Sequence, residues 1–186
     1  ATQRRGLWRK SIGLRVYQMG VDGWSVSLDG SASFYPRENI SVDVSVKPSR
    51  SNDWLRWLED DLLASYSKNE MKIDMTTAWL PAEKHEIRLR TQWVVIEAEA
   101  EQGYRINADH RLAPSDDVIG DFAATSFGLQ FRYRYEIAPL SDFYFVYSRG
   151  GRDYIDDPNE DTWDLLEETT SLRDSDQILL KLRYRF

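Results

Sequence analysis

The chain has 186 residues, 41% of them hydrophobic and 30% charged, and a formal net charge of −7. No run approaches the ~18 apolar residues of a membrane helix, the acidic balance argues against a general nucleic-acid binder, and the absence of cysteine removes disulfide and thiol chemistry. Aromatic residues reach 13%, with seven Trp and ten Tyr, and so many rings need a structural reason. The opening "ATQRRGLWRK" carries no signal-peptide pattern, as expected of a mature chain or a fragment.

Taken in chain order, the sequence alternates. In "LWRKSIGLRVY", Trp8, Ile12, Leu14 and Val16 oppose Arg9, Ser11 and Arg15. In "GWSVSLDGSASFY", Trp24, Val26, Leu28, Ala32 and Phe34 oppose Ser25, Ser27, Asp29 and Ser31. "NISVDVSVKP" sets Ile40, Val42, Val44 and Val46 against Ser41, Asp43, Ser45 and Lys47. "NEMKIDMTTAWL" sets Met71, Ile73, Met75 and Trp79 against Lys72, Asp74 and Thr76. In "HEIRLRTQWVV", Ile87, Leu89, Trp93 and Val95 oppose Arg88, Arg90 and Gln92. In "TSFGLQFRYRYEIAP", Phe127, Leu129, Phe131, Tyr133, Tyr135 and Ile137 oppose Gln130, Arg132, Arg134 and Glu136. "DFYFVYSRG" is apolar on both faces and fits the pattern least well. "SDQILLKLRYRF" closes the series, with Ile178, Leu180, Leu182, Tyr184 and Phe186 opposing Gln177, Leu179, Lys181, Arg183 and Arg185. Successive side chains of a strand point to opposite faces, so the pattern predicts eight strands and almost no helix.

The connections are of two kinds. "YPREN" at 35–39, "PAEK" at 81–84 and "APLS" at 138–141 are tight, Pro-containing turns. Between them lie longer segments at 48–67, 102–121 and 149–174, and "MGVDG" at 19–23 is a short turn where a long one is due. Short turns at one end and long loops at the other characterise a bacterial outer-membrane barrel. A soluble β-sandwich binding module, carbohydrate-binding-like, is the alternative, since it also alternates and buries one face. Charges on the polar faces that can pair across a lumen, aromatics at the ends of the apolar faces, and strands of ~9–11 residues favour the membrane. The expected fold is therefore all-β, an antiparallel up-and-down transmembrane barrel in a single domain over 1–186. Arg88, Arg90, Arg132, Arg134, Lys181 and Arg183 are its lumen-facing candidates.

"FGLQFRYRYEIAPLSDFYFVYSRGG" followed by "DQILLKLRYRF" resembles the C-terminal region of a family of large bacterial outer-membrane proteins that carry a family-9 carbohydrate-binding-like domain ahead of a β-barrel of unassigned function. Arg132, Arg134, Pro139 and Phe186 carry the resemblance, strongest over 121–186. It implies the bacterial outer membrane as location and the closing part of a larger barrel as a second form of the fold. It transfers no catalytic motif. Barrels of this kind end on an aromatic strand that the assembly machinery reads, which makes Leu182, Tyr184 and Phe186 assembly-signal candidates, by addition of a strand to a receptor edge.

No nucleophile elbow, phosphate-binding loop or zinc spacing occurs, and the two histidines are poorly placed for catalysis. His85 adjoins a short turn, and His110 reads as a solvated loop residue beside Asp109. No enzyme and no cofactor is expected. The segment 149–174 holds nine acids and three bases, a net charge of −6. Its "DDPNED" offers oxygen atoms without the spacing of an EF-hand loop, so it reads as a solvated extracellular loop, with metal binding left open. "SNDWLRWLEDDLLASY" places Trp54, Leu55, Leu58 and Leu62 at near-helical spacing, which suggests a short amphipathic turn on the rim. The expected function is a pore, receptor or anchor. Its expected partners are membrane lipid, lipopolysaccharide, the barrel-assembly machinery and other membrane subunits, and no nucleic acid.

Overall fold

The computed structural model describes residues 2–20, 22–156, 158 and 162–185. All eight expected strands form, and two four-residue strands join them. In chain order they are β1 (Thr2–Arg5), β2 (Trp8–Met19), β3 (Gly23–Arg37), β4 (Ile40–Glu59), β5 (Leu62–Ala82), β6 (His85–Ile106), β7 (Leu112–Ser115), β8 (Phe122–Ala138), β9 (Ser141–Asp156) and β10 (Ser175–Arg183). One helix, α1 (Thr162–Thr169), precedes β10. The strands make one antiparallel up-and-down sheet in the order β1-β2-β3-β4-β5-β6-β8-β9-β10, with β7 folded back on the end of β6. The tight turns fall where the proline-containing stretches place them, at 38–39, 83–84 and 139–140.

The closed barrel expected from the alternation is not formed: the sheet is open. β10 pairs only with β9, and β1 covers only Trp8–Ser11 of the outer edge of β2. Among the described residues, the four-residue β1 leaves Ile12–Met19 of β2 without an outer partner, and no strand joins β2 to β10. The side chains agree, since β10 is exposed on both faces along its whole length and β2 on both faces along nearly all of its length.

One of the expected long loops is instead strand, and another is partly strand and helix. The segment 48–67 is a hairpin, with β4 running to Glu59, a turn at 60–61 and β5 starting at Leu62. The near-helical spacing of Trp54, Leu55, Leu58 and Leu62 therefore belongs to strands. Bulges between Ser51 and Trp54 and between Trp57 and Glu59 shift the two-residue period, and a shifted period mimics a helical one. One bulge serves a neighbour. Asp53 (φ 54°) and Asn52 accept from the backbone N–H groups of Asp22 and Trp24, each at 2.8 Å, and so pin the β2–β3 turn. Gly20, at φ +68°, has no room there for a side chain, because an added Cβ would strike the Asp53 carbonyl. In 149–174, β9 continues to Asp156 and α1 spans Thr162–Thr169. "DDPNED" lies largely outside the described residues.

The register joins the alternations into two continuous faces. Trp8 is level with Phe34, Val42, Thr77, Leu89, Phe131, Tyr147 and Ile178, one apolar row crossing all eight long strands. On β5, β6 and β8 this apolar face runs from Met71 to Trp79, Ile87 to Val95 and Phe127 to Tyr135, nine residues in each case. At ~3.3 Å per residue and a tilt near 40°, that is a band about 20–25 Å tall.

Beyond the band the polarity inverts. On β6 the former apolar face continues as Glu97, Glu99 and Glu101, while the opposite face becomes Ala98 and Ala100. Ala64, Tyr66, Ala98 and Phe122 form a buried core on that opposite face, packed by Trp54, Leu58 and Ile119. A second core lies on the band face at its upper edge, where Leu165 and Leu166 of α1 pack on Val95 and Ala123. An eight-residue helix is marginal alone, and burial of the two leucines stabilises it by about 1.5–3 kcal/mol each. Arg149 completes the dock. It projects from the band face of β9, and its guanidinium donates to the Thr170, Ser171 and Leu172 carbonyls at 3.2–3.3 Å. Those carbonyls belong to the turn that follows α1, so Arg149 fixes the exit of the helix towards β10.

Candidate functional site

The six sequence-nominated cations all lie on the polar face, at the end of the sheet that carries the short turns. Arg88 sits directly opposite Arg132, Arg90 opposite Gln130, and Arg134 opposite Glu86. Lys181 is opposite Tyr144, and Arg183 opposite Asp142. Like charges facing each other destabilise a sheet unless they are compensated. The compensation comes from acids that the sequence reading did not single out. Glu86 pairs with Arg88 and, at 3.6 Å, with Arg134. Asp142, only 5% exposed, accepts from Arg134 Nε at 2.9 Å, while Arg132 lies over the Tyr144 ring at 5.5 Å. The signal for these partners was present, since Glu86 falls in phase with Arg88 and Arg90, and Asp142 with Tyr144.

Other charges on that face pair along and across the strands in the same way. Arg15 Nε donates to Asp29 at 2.9 Å, Lys47 approaches Asp29 at 3.8 Å, and Gln92 donates to Asp74 at 2.5 Å with Lys72 at 3.9 Å. At the far end the same face turns aromatic. Phe122 stacks with Tyr154 at 5.1 Å and meets Tyr66 edge-on at 5.2 Å, and the Arg56 guanidinium covers Phe122 at 4.5 Å. Burial pushes the Tyr66 hydroxyl above its ordinary pKa. This cluster was not legible in the sequence, because its members come from four strands and its period is broken by bulges.

Above it, the 107–121 connection is tied down by one arginine. Arg105 grips both carboxylate oxygens of Asp117 at 2.7 and 2.9 Å and reaches Asp61 at 2.7 Å. The Arg105 bond, with the Ser115 hydroxyl behind it, holds the Asp117 carboxyl down to about 2.

His85 bonds the Tyr133 hydroxyl at 2.8 Å and stacks on Tyr135, and His110 sits in a turn at φ 60°. Neither meets a carboxylate or a nucleophile in these contacts. No group of three or more His, Asp or Glu side chains able to hold a metal occurs among the described residues. Of the assembly-signal candidates, Leu182 lies on the apolar face of β10 opposite Phe143, Tyr184 follows the strand and is exposed, and Phe186 lies outside the described residues. Among the described residues no strand pairs with the outer edge of β10. A scan against protein-family models finds no match, and a search of curated proteins finds no significant similarity.

Proposed function

We propose that this chain is the wall of a bacterial outer-membrane β-barrel that is completed by further strands, and that it acts without catalysis as a pore, receptor or anchor. The inversion of polarity along the strands carries this reading. A strand within one sheet of a soluble sandwich buries the same face along its length, unless a bulge or bend carries it into the facing sheet. Here the face that is apolar for nine residues turns into Glu97, Glu99 and Glu101, while the other face turns from Arg88, Arg90 and Gln92 into a packed core. A lipid layer of finite thickness explains the switch: apolar side chains face outward within it, and beyond it a water-soluble rim has acids outside and a core inside. The band height matches the ~25 Å apolar belt of such barrels. Trp79, Tyr135 and Phe143 at one margin and Trp93 and Phe127 at the other have the character of interfacial girdles. α1, with Trp163 exposed and its leucines on the band's upper edge, then lies at the outer interface.

In this arrangement the short turns are periplasmic and the long connections extracellular. The charged face lines the interior, and lipid, lipopolysaccharide and the assembly machinery are the partners. A peptide tag inserted at Asn159 should be labelled on intact cells. A tag at 83–84 should be reached only after the outer membrane is opened. Equal labelling of the two tags would refute the membrane reading.

A further inference from the structure

One stretch of the charged face is built differently from the rest. Gly128 of β8 is directly opposite Gly150 of β9, and Gln92 of β6 is level with both. One row towards the short turns come Arg90, Gln130 and Ser148, and one row towards the far end come Ser126 and Arg152. A pair of facing glycines inside two adjoining strands packs nothing and weakens both, which marks a place where something else approaches the backbone. Open space remains above it: a Cβ added at Gly128 meets no atom within 4 Å. Two adjoining hollows of about 430 and 390 Å³ share Gly128 and Gln92 as lining.

Arg15, Lys47, Lys72, Arg88 and Arg134 on this face have carboxylate partners, while Arg132 and Lys181, nearer the short turns, make no ion pair among the described residues. Arg90 and Arg152, on either side of the glycine floor, make no ion pair among the described residues, and Gln92 turns its amide to Asp74. Two unpaired guanidinium groups with the Gln130 amide and the Ser126 and Ser148 hydroxyls around an empty glycine floor form a donor-rich cradle. Guanidinium forks match the paired oxygens of phosphates and carboxylates.

We propose that the groove over Gly128 and Gly150 is a binding site for a small oxyanion-bearing solute, held between Arg90 and Arg152. This rests on the reading of the charged face as the barrel interior, where such a solute would meet it in water. The test uses the full chain folded in detergent, with folding of each variant checked by heat-modifiable migration, and calorimetric titration with inorganic phosphate at low ionic strength. Saturable binding is expected, weakened at least tenfold by Arg90→Gln, by Arg152→Gln and by Gly128→Leu, which fills the hollow without touching a charge. Lys47→Gln, which removes the same charge elsewhere on the face, should leave binding within twofold. No saturable binding by the folded wild type overturns the site, and so does equal weakening by Lys47→Gln and Arg90→Gln, the signature of diffuse attraction. The tag labelling described above tests the membrane reading separately, so failure of either is distinguishable from failure of the other.

Discussion

Leu180→Arg separates lipid from water around this sheet more sharply than any change in a packed core. Leu180 lies in the middle of the apolar run Ile178, Leu180, Leu182 and Tyr184, opposite Phe145, and is 65% exposed. If water surrounds it, a charge there should cost little, within about ±0.5 kcal/mol for an exposed position, and should help solubility. If lipid surrounds it, a lipid-facing Arg costs about 2–4 kcal/mol near the midplane, which lowers the folded-to-unfolded ratio roughly 30- to 1,000-fold. Lys181→Leu, one residue along on the opposite face, should stay within about 1 kcal/mol, because it leaves the lipid face intact and Lys181, exposed on β10, makes no ion pair among the described residues. Urea titration of vesicle-folded protein, followed by heat-modifiable migration, reads both. A Leu180→Arg protein as stable as the wild type, or equal losses for both changes, would refute the assignment of faces. Leu14→Arg, on the opposite edge and equally exposed, should repeat the result.

Other expectations concern the rim and the terminus. Arg149→Leu removes the donors that hold the carbonyls of the turn after α1, so limited proteolysis within 162–174 should quicken, with about 1.5–3 kcal/mol of local stability lost; unchanged cleavage would mean that the leucines alone hold the helix. Because Asp117 is held below its unfolded value of 3.8, its contribution is complete above about pH 4 and is lost as the pH falls towards about 2. Proteolysis in 107–121 should therefore be flat from pH 7 to 4 and rise below that, whereas Asp117→Asn should open the segment at neutral pH. Deletion of Phe186 should slow assembly in cells while leaving detergent refolding nearly intact, as followed by pulse-chase beside in-vitro refolding; equal loss in both assays would make the residue ordinary packing.

Strand period alone determined most of the sheet. Where apolar and polar residues alternate without interruption, as from Ile87 to Val95 or from Phe127 to Tyr135, a one-residue slip would put every side chain on the wrong face, so each strand and its facing were readable. The short turns were readable for a related reason, since Pro beside small or polar residues permits little else.

The tertiary structure decided what depends on pairs of strands. The bulges at 51–54 and 57–59 break the period of β4, so a long hairpin looked like a loop with a helical turn. The inversion of polarity beyond Val95 has no local signature, because "EAEAEQ" alternates as well as the stretch before it and only the partners Tyr66 and Phe122 show which face is buried. The docking of α1 rests on Arg149 meeting carbonyls more than twenty residues away. The facing of Gly128 and Gly150 is a matter of register between β8 and β9, and the open edges of β2 and β10 show only when the whole strand order is assembled. A one-dimensional pattern carries the preference of each residue for a face; which residues share that face is fixed only when the strands pair.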